Sequence, residues 1–408
     1  MDDNKAKLIK DFFARGVADV IPSKGDLKKV LESDKKLKIY IGADPTAPKL
    51  HLGHSTNILL LRILQKLGHK IIILIGDFTG MIGDPTDKSA IRVPLTSEQV
   101  QENARTYQDQ LSKIIDFGGD NPAEIKFNSE WLSNLSSVEI IKLMANVTVQ
   151  QMIERDMFQK RLAENKPIGL HEFIYPLLQG YDSVVMDVDA EMGGTDQTFN
   201  MMMGRHLMKT KSGKEKFVIT TELLVNPKTG VKLMSKSEGG YIGLNDEPED
   251  MYGKVMALSD EVIEPCYRMC TALDLGGIDF GSHPMELKKN LAWEIVRIYH
   301  SEEEANQARD HFQRTVVEKT ASEVAPMVVV EGGVLGTIQD LNGKPGLANI
   351  LVENGLVGSR SEFKRLVEEG GLYLDNVRIS KDQEKLDLHD GQNLIRVGKW
   401  KQLVLVRQ

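Results

Sequence analysis

The sequence predicts an α/β fold: a doubly wound domain on a parallel sheet, then a helical unit, then a small α+β tail. A strand–helix–strand pattern fills residues 38–76, the composition turns helical after Glu247, and a short helix followed by a double glycine stands near the C-terminus. A chain of 408 residues with 41% hydrophobic and 27% charged residues has material for two or three packed cores.

The first forty residues read as helical and end in the basic stretch Lys35-Lys36-Leu37-Lys38. Lys38 to Gly42 then reads as a short β-branched strand, bounded by the turn-rich Asp44-Pro45-Thr46-Ala47-Pro48. Residues 50–67 carry apolar side chains at 59, 60, 63, 64 and 67 and stop at Gly68, the spacing of an amphipathic helix. Ile71 to Gly76 is a continuous apolar run suited to a buried parallel strand. The whole is a βαβ unit, and ligands of such sheets sit beyond the carboxyl ends of the strands. Two unusual loops fall there, 44–50 and 77–85.

The helical unit spans 247–320, with His283-Pro284 interrupting it and a periodic helix over 286–299. Residues 321–345, with glycines at 332, 333, 336 and 343, read as a connector, and the last domain takes 346–408. The first domain is therefore 1–246.

Several classes are excluded. No apolar run approaches the roughly 20 residues of a membrane span, and Met1-Asp2-Asp3-Asn4-Lys5 does not begin an export signal, so the cytoplasm is expected. Cys266 and Cys270 are the two cysteines, too few for a disulfide framework or a four-cysteine zinc site; they read as core thiols, and no metal ligand set is expected. The net charge of −8 argues against general attraction to nucleic acid. Residues 346–408 hold ten Lys/Arg against nine Asp/Glu, so RNA contact there requires Arg360, Lys364, Arg365, Arg378 and Lys381 to gather on one face.

Neither a Gly-x-x-x-x-Gly-Lys-Ser/Thr loop nor a Gly-x-Gly-x-x-Gly fingerprint occurs, so a nucleotide would need another phosphate site. His51-Leu52-Gly53-His54 supplies one at a helix start, where imidazole donors and the positive helix end meet a phosphate chain and the glycine leaves room for a flat base. Met234-Ser235-Lys236-Ser237, before Gly239-Gly240, places an ammonium among small hydroxyls on a loop able to meet phosphate oxygens. Taken singly, the first reads equally as a helix cap or a phosphate site, and the second better as a solvated loop. In this order and separation they resemble the two signatures of class I aminoacyl-tRNA synthetases, usually written HIGH and KMSKS.

The likeness extends to Tyr40-x-Gly42-x-Asp44-Pro45-Thr46-Ala47, to Gly83-Asp84-Pro85, and to Tyr175-x-x-x-Gln179-x-x-Asp182 followed by Gly193-Gly194-Thr195-Asp196-Gln197. That set is similar to the bacterial tyrosyl-tRNA synthetases, from about residue 35 to the C-terminus. The resemblance implies a Rossmann-like catalytic domain, an anticodon-side helical domain and an RNA-binding tail like that of a ribosomal small-subunit protein, the "S-four" type. It implies that Tyr40 and Asp182 meet the substrate phenol, that Asp84, Tyr175 and Gln179 hold the α-ammonium, and that Gln197 lies near the carboxylate. Gly42, Asp44, Gly53, Gly194 and Asp196 would line the adenylate site, with Met234, Ser235 and Ser237 beside it. Thr46, His51, His54 and the mobile Lys236 would serve the phosphates. The implied reactants are L-tyrosine, ATP and tRNA, with Mg²⁺ on the pyrophosphate, no zinc, and a homodimer as the assembly.

The chain departs from the second signature at its first position, where Leu233 replaces lysine and Lys232 stands one residue earlier. Three rival readings share part of the pattern: a tryptophanyl enzyme, a small-molecule adenylyltransferase, and a non-catalytic RNA-binding protein derived from a synthetase. The phenol pair argues against the first and residues 247–408 against the second. The intact signatures argue against the third.

Overall fold

The computed structural model describes residues 3–85, 95–234, 241–317, 326–330, 334–337, 346–375, 377–380, 383–398 and 401–407. The chain divides into two compact units, 1–308 and 309–408. No described helix is long and apolar enough to cross a membrane.

The first unit is built on a six-stranded sheet of β1 (Val17–Ile21), β2 (Lys38–Ala43), β3 (Lys70–Ile75), β4 (Glu124–Phe127), β5 (Ala190–Gly194) and β6 (Phe217–Thr221), in the spatial order β1-β6-β5-β2-β3-β4. All neighbours run parallel except β1, which pairs antiparallel with β6. The strands β2 and β3 pair Ile39 with Ile71 and Ile41 with Ile73, and helix Leu52–Lys66 connects them, as the βαβ pattern requires. Both faces of a parallel sheet are covered, which is why 71–75 is an unbroken apolar run, all of it buried.

One feature departs from the expectation. The first forty residues contain not only helices Asp3–Ala14 and Lys24–Glu32 but also β1, five residues long with Val17 and Val20 buried. A strand this short leaves almost no period of its own, and the flanking helical spacing masks it. The helical segment, with Pro248–Met256, Ile263–Cys270 and Pro284–Tyr299, packs within the first unit, and Ile263–Cys270 lies against Leu52–Lys66. His283 caps the last of these through Nδ1, which accepts from the Met285 amide at 3.2 Å. Cys266 and Cys270 are fully buried, as core thiols should be.

The second unit contains β7 (Met327–Val330), β8 (Val334–Gly336), β9 (Leu372–Leu374), β10 (Val377–Arg378), β11 (Lys385–Asp387), β12 (Gly391–Val397) and β13 (Lys401–Arg407). Five form a sheet in the order β10-β9-β12-β13-β7, and β11 pairs with β8. The segment expected as a connector carries two strands: the apolar run Met327-Val328-Val329-Val330 pairs parallel with β13, and β8 pairs with β11. Helices Leu347–Glu353 and Arg360–Glu369 cover a core that includes Phe363, Leu372, Ile395 and Leu405. Ser359, not Ser361, caps the second helix by accepting from the Glu362 amide, and β9 and β10 form the hairpin after Gly370-Gly371.

His69, between helix Leu52–Lys66 and β3, gives a pH prediction. It is 1% exposed, its Nδ1 accepts from the Leu37 amide at 3.2 Å, and its buried Nε2 has no hydrogen-bond partner among the described residues. Burial, aided by Lys36 and Lys5, holds its pKa down to about 4. The unfolded chain binds the proton first, so folding stability present above about pH 6.5 is lost as the pH falls towards 4, by up to about 1.4 kcal/mol per unit from this one group. Thermal unfolding at pH 7 and pH 5 is expected to show a smaller difference for His69→Gln than for the parent chain.

Candidate active site

The strand order reverses between β2 and β5, and a cavity of about 590 Å³ opens at their carboxyl ends. Of the residues expected in the site, Tyr40, Gly42, Asp44, Thr46, His51, Gly53 and His54 line it from β2 and the start of the following helix. Asp84, Tyr175, Gln179, Asp182, Gly194, Asp196 and Gln197 line it from the opposite wall. Three of them, Tyr175, Gln179 and Asp182, sit on helix Leu170–Met186, where spacings of four and three place side chains on one face.

The deep end is buried and polar. Asp182, 1% exposed, accepts from Trp131 Nε1 at 2.7 Å and from Asn128 Nδ2 at 3.2 Å. Burial, opposed by these two donors, pushes its pKa well above the ordinary carboxylate range. Tyr40 is fully buried, with its Oη 2.8 Å from Ser183 Oγ. A pocket ending in a buried carboxylate and a buried phenol suits a ligand carrying a hydroxyl, since each group has hydrogen-bonding capacity beyond its protein partners that an apolar ligand would bury unused.

Nearer the mouth, Asp44 is clamped. Tyr175 Oη donates to its Oδ2 at 2.8 Å and Thr79 Oγ1 to its Oδ1 at 2.7 Å. Gly76 makes this possible, because a Cβ there would lie 2.1 Å from Asp44 Oδ1. Asp84 accepts from Gln197 Nε2 at 2.6 Å and lies 3.5 Å from Arg155, while Gln179 Nε2 donates to Glu191 Oε1 at 3.0 Å. These carboxylates and amides converge on one end of the cavity and suit an ammonium group.

The two histidines form the other end. Their rings stack with centroids 3.8 Å apart, and His54 Nδ1 accepts from the His51 amide at 3.2 Å, which leaves Nε2 to carry the proton. His54 lines the cavity with part of its ring exposed; desolvation among its neighbours and the adjoining His51 hold its pKa down to about 3, so it is a neutral donor at pH 7. Backbone bonds from Leu52 to Ile242 (3.1 Å) and from Leu244 to Leu50 (3.0 Å) fix the turn that presents them. Met234, buried with φ of +67°, packs beside Gly53. Lys232 lines the cavity and pairs with Asp196 at 2.9 Å. Ser235, Lys236 and Ser237 lie outside the described residues.

The tail cations are only partly gathered. Arg360, Lys364 and Arg365 share helix Arg360–Glu369, where Arg360 bonds Asn349 and Arg365 lies 3.9 Å from Glu369. Arg378, on β10, lies across Gly370 at the far end of that helix, where a side chain on the glycine would collide with its guanidinium. Lys381 falls outside the described residues.

Sequence reasoning missed Asn128, Trp131, Thr79, Glu191 and Lys216. None belongs to a recognisable motif. Asn128 lies in the turn after β4, Thr79 and Trp131 on the short helices Thr79–Ile82 and Ser129–Leu132, and Glu191 on β5, all brought to the site by the sheet topology, and Lys216 is one of 51 lysines and arginines with nothing local to mark it as buried.

A doubly wound sheet with paired histidines at the first crossover helix and the amino-acid end closed by buried polar groups is the arrangement of class I tRNA synthetases. The family model described as tRNA synthetases class I (W and Y) matches residues 32–317, and the chain belongs to that family. Its curated relatives include the tyrosine–tRNA ligase of Haemophilus ducreyi, 44% identical over 394 residues and 95% of each chain, and that of Moorella thermoacetica, 40% identical over 95% of this chain and 93% of its own. The fold is shared with a C-terminally truncated mitochondrial tyrosyl-tRNA synthetase of Aspergillus nidulans (TM-score 0.64, 23% identity, 75% of this chain and 93% of that one). It is shared also with the tyrosyl-tRNA synthetase of Archaeoglobus fulgidus complexed with L-tyrosine (TM-score 0.56, 21% identity, 75% and 99%).

Proposed function

We infer that the chain is an ATP-dependent tyrosine–tRNA ligase. The observation that carries this reading is the buried Tyr40–Asp182 end of the cavity, facing a histidine pair at a helix N-terminus. In the first step a carboxylate oxygen of tyrosine attacks the α-phosphorus of ATP, the bond to the bridging oxygen breaks, and pyrophosphate leaves. In the second a ribose hydroxyl of the terminal adenosine of tRNA attacks the tyrosyl carbonyl, and AMP leaves. No protein nucleophile is required, so the residues act by positioning and by stabilising charge.

Asp182 accepts a hydrogen bond from the phenol O–H and Tyr40 donates one to the phenol oxygen. Asp84, Tyr175 and Gln179 hold the α-ammonium, and Gln197 orients the carboxylate. Gly42, Asp44, Gly53, Gly194 and Asp196 receive the adenylate, with Met234, Ser235 and Ser237 at its edge. Thr46, His51, His54 and Lys236 donate to the phosphates, and Lys232, held by Asp196, is a secondary cation. Among the described residues no group of three His, Cys, Asp or Glu is placed to hold a metal. Magnesium would therefore be carried by the phosphate oxygens, whose charge it would screen.

The helical segment 247–320 and the tail 346–408 would meet tRNA, the tail through Arg360, Lys364, Arg365 and Arg378. A cytoplasmic location suits an enzyme that feeds protein synthesis. The experiment for this reading is esterification of tRNA with labelled tyrosine in the presence of ATP: charging with tyrosine supports it, and charging with tryptophan alone overturns it.

A homodimer is supported by apolar side chains left open on neighbouring short helices. Val138, Ile141 and Met144 on Ser137–Met144 are 60%, 65% and 44% exposed, and Val149 on Val149–Ile153 is 66% exposed. Ile141→Asp with Val149→Asp is expected to shift the parent's sedimentation from dimer to monomer. A parent that sediments as a monomer contradicts the proposal.

A further inference from the structure

Behind the amino-acid end of the cavity lies a polar cluster that the mechanism above does not use. Lys216, immediately before β6, is fully buried, its Nζ paired with Glu191 and 2.6 Å from Ser183 Oγ. Glu191, on β5, accepts from Gln179 at 3.0 Å, and Ser183 meets Tyr40 Oη at 2.8 Å. The ammonium also sits 5.5 Å from the centre of the Tyr40 ring. Room for it is built in: a Cβ on Gly204 of helix Thr198–Ser212 would lie 2.5 Å from Lys216 Nζ and 2.7 Å from Ser183 Oγ. A buried lysine without a partner carboxylate is too costly to keep, and here the lysine reaches two residues of the cavity wall, Gln179 through Glu191 and Tyr40 through Ser183.

Hydrogen-bond inventory gives the cluster a direction. An ammonium only donates, so Ser183 Oγ accepts from Lys216. The single Ser183 proton goes to the nearer acceptor, Tyr40 Oη at 2.8 Å, in preference to Glu191 Oε2 at 3.4 Å. The Tyr40 proton is then available to the substrate phenol, and Asp182, which accepts from Trp131 and Asn128, offers its remaining acceptor sites to the same hydroxyl. One donor and one acceptor is what a phenol hydroxyl needs.

We propose that Lys216 is a positioning residue for amino-acid selection, acting through Ser183 to keep Tyr40 a donor towards the substrate phenol and through Glu191 to hold Gln179 at the cavity wall. The proposal rests on the tyrosine–tRNA ligase reading and deepens it.

The test is pyrophosphate exchange into ATP with tyrosine and phenylalanine, for the full chain, Lys216→Met and Ser183→Ala. Ser183→Ala keeps the ion pair, and with it the folded state, while removing only the relay, so it decides the matter if Lys216→Met fails to fold. Each variant is expected to raise KM for tyrosine about tenfold or more, to leave KM for ATP within about twofold, and to reduce the preference for tyrosine over phenylalanine by about a hundredfold. A structural role alone would lower the thermal midpoint and move both KM values together, and that result overturns the proposal. So does a Ser183→Ala variant with the parent's preference. Absence of tyrosine-dependent exchange in the parent chain would instead sink the ligase reading on which the proposal stands.

Discussion

Asp182→Ala is expected to lower kcat/KM for tyrosine in pyrophosphate exchange by about a thousandfold or more, with KM for ATP changed by less than about threefold. The reason is the number of groups that lose a partner at once. In the parent chain Asp182 accepts from Trp131 and Asn128 and is 1% exposed. Removing it leaves the Trp131 and Asn128 donors and the substrate O–H without that acceptor in a buried pocket, a far larger penalty than losing one exposed hydrogen bond. The same physics works for the parent against phenylalanine. Tyrosyl enzymes are themselves the established example of such discrimination, about 10⁵ without editing, a family magnitude and not one obtained from this site. A variant that retains the parent's kcat/KM for tyrosine would remove Asp182 from the phenol site.

Lys236→Ala is expected to slow adenylate formation by about 10²- to 10³-fold while leaving the dissociation constant for tyrosine unchanged. Charge moves onto the leaving pyrophosphate only during the reaction, so a cation that meets it there acts on the rate and not on binding of the amino acid. Lys232→Ala is expected to cost about tenfold or less, because Asp196 already holds that ammonium at 2.9 Å. Single-turnover quench-flow for the first step and equilibrium dialysis for tyrosine separate the two effects. A larger loss at Lys232 than at Lys236 would mean that the shifted lysine has taken over the role of the signature.

Much of this was legible before any coordinates. The βαβ unit announced itself because a buried parallel strand is a continuous apolar run and its crossover helix is periodic, both local properties. The histidines at the helix start were legible for the same reason: their chemistry depends on spacing within four residues. By contrast, β1 and the two strands inside 321–345 were hidden, since a strand of three to five residues is recognised by its partner, and β7 finds its partner nearly eighty residues later, in β13. The site divides in the same way. Tyr40, Asp182 and the glycines stood in motifs, whereas Asn128 and Trp131 hold Asp182 from across the fold. Lys216 reads in sequence as an ordinary surface charge, and only the sheet register that sets Phe217 opposite Ala190 turns it inward.

The central claim is that the buried phenol–carboxylate pair selects tyrosine for adenylation. Amino-acid-dependent exchange of labelled pyrophosphate into ATP, run in parallel with tyrosine, phenylalanine and tryptophan, tests it most directly. Exchange with tyrosine alone is the predicted result; equal exchange with phenylalanine, or exchange with tryptophan instead, would contradict the assignment of Tyr40 and Asp182.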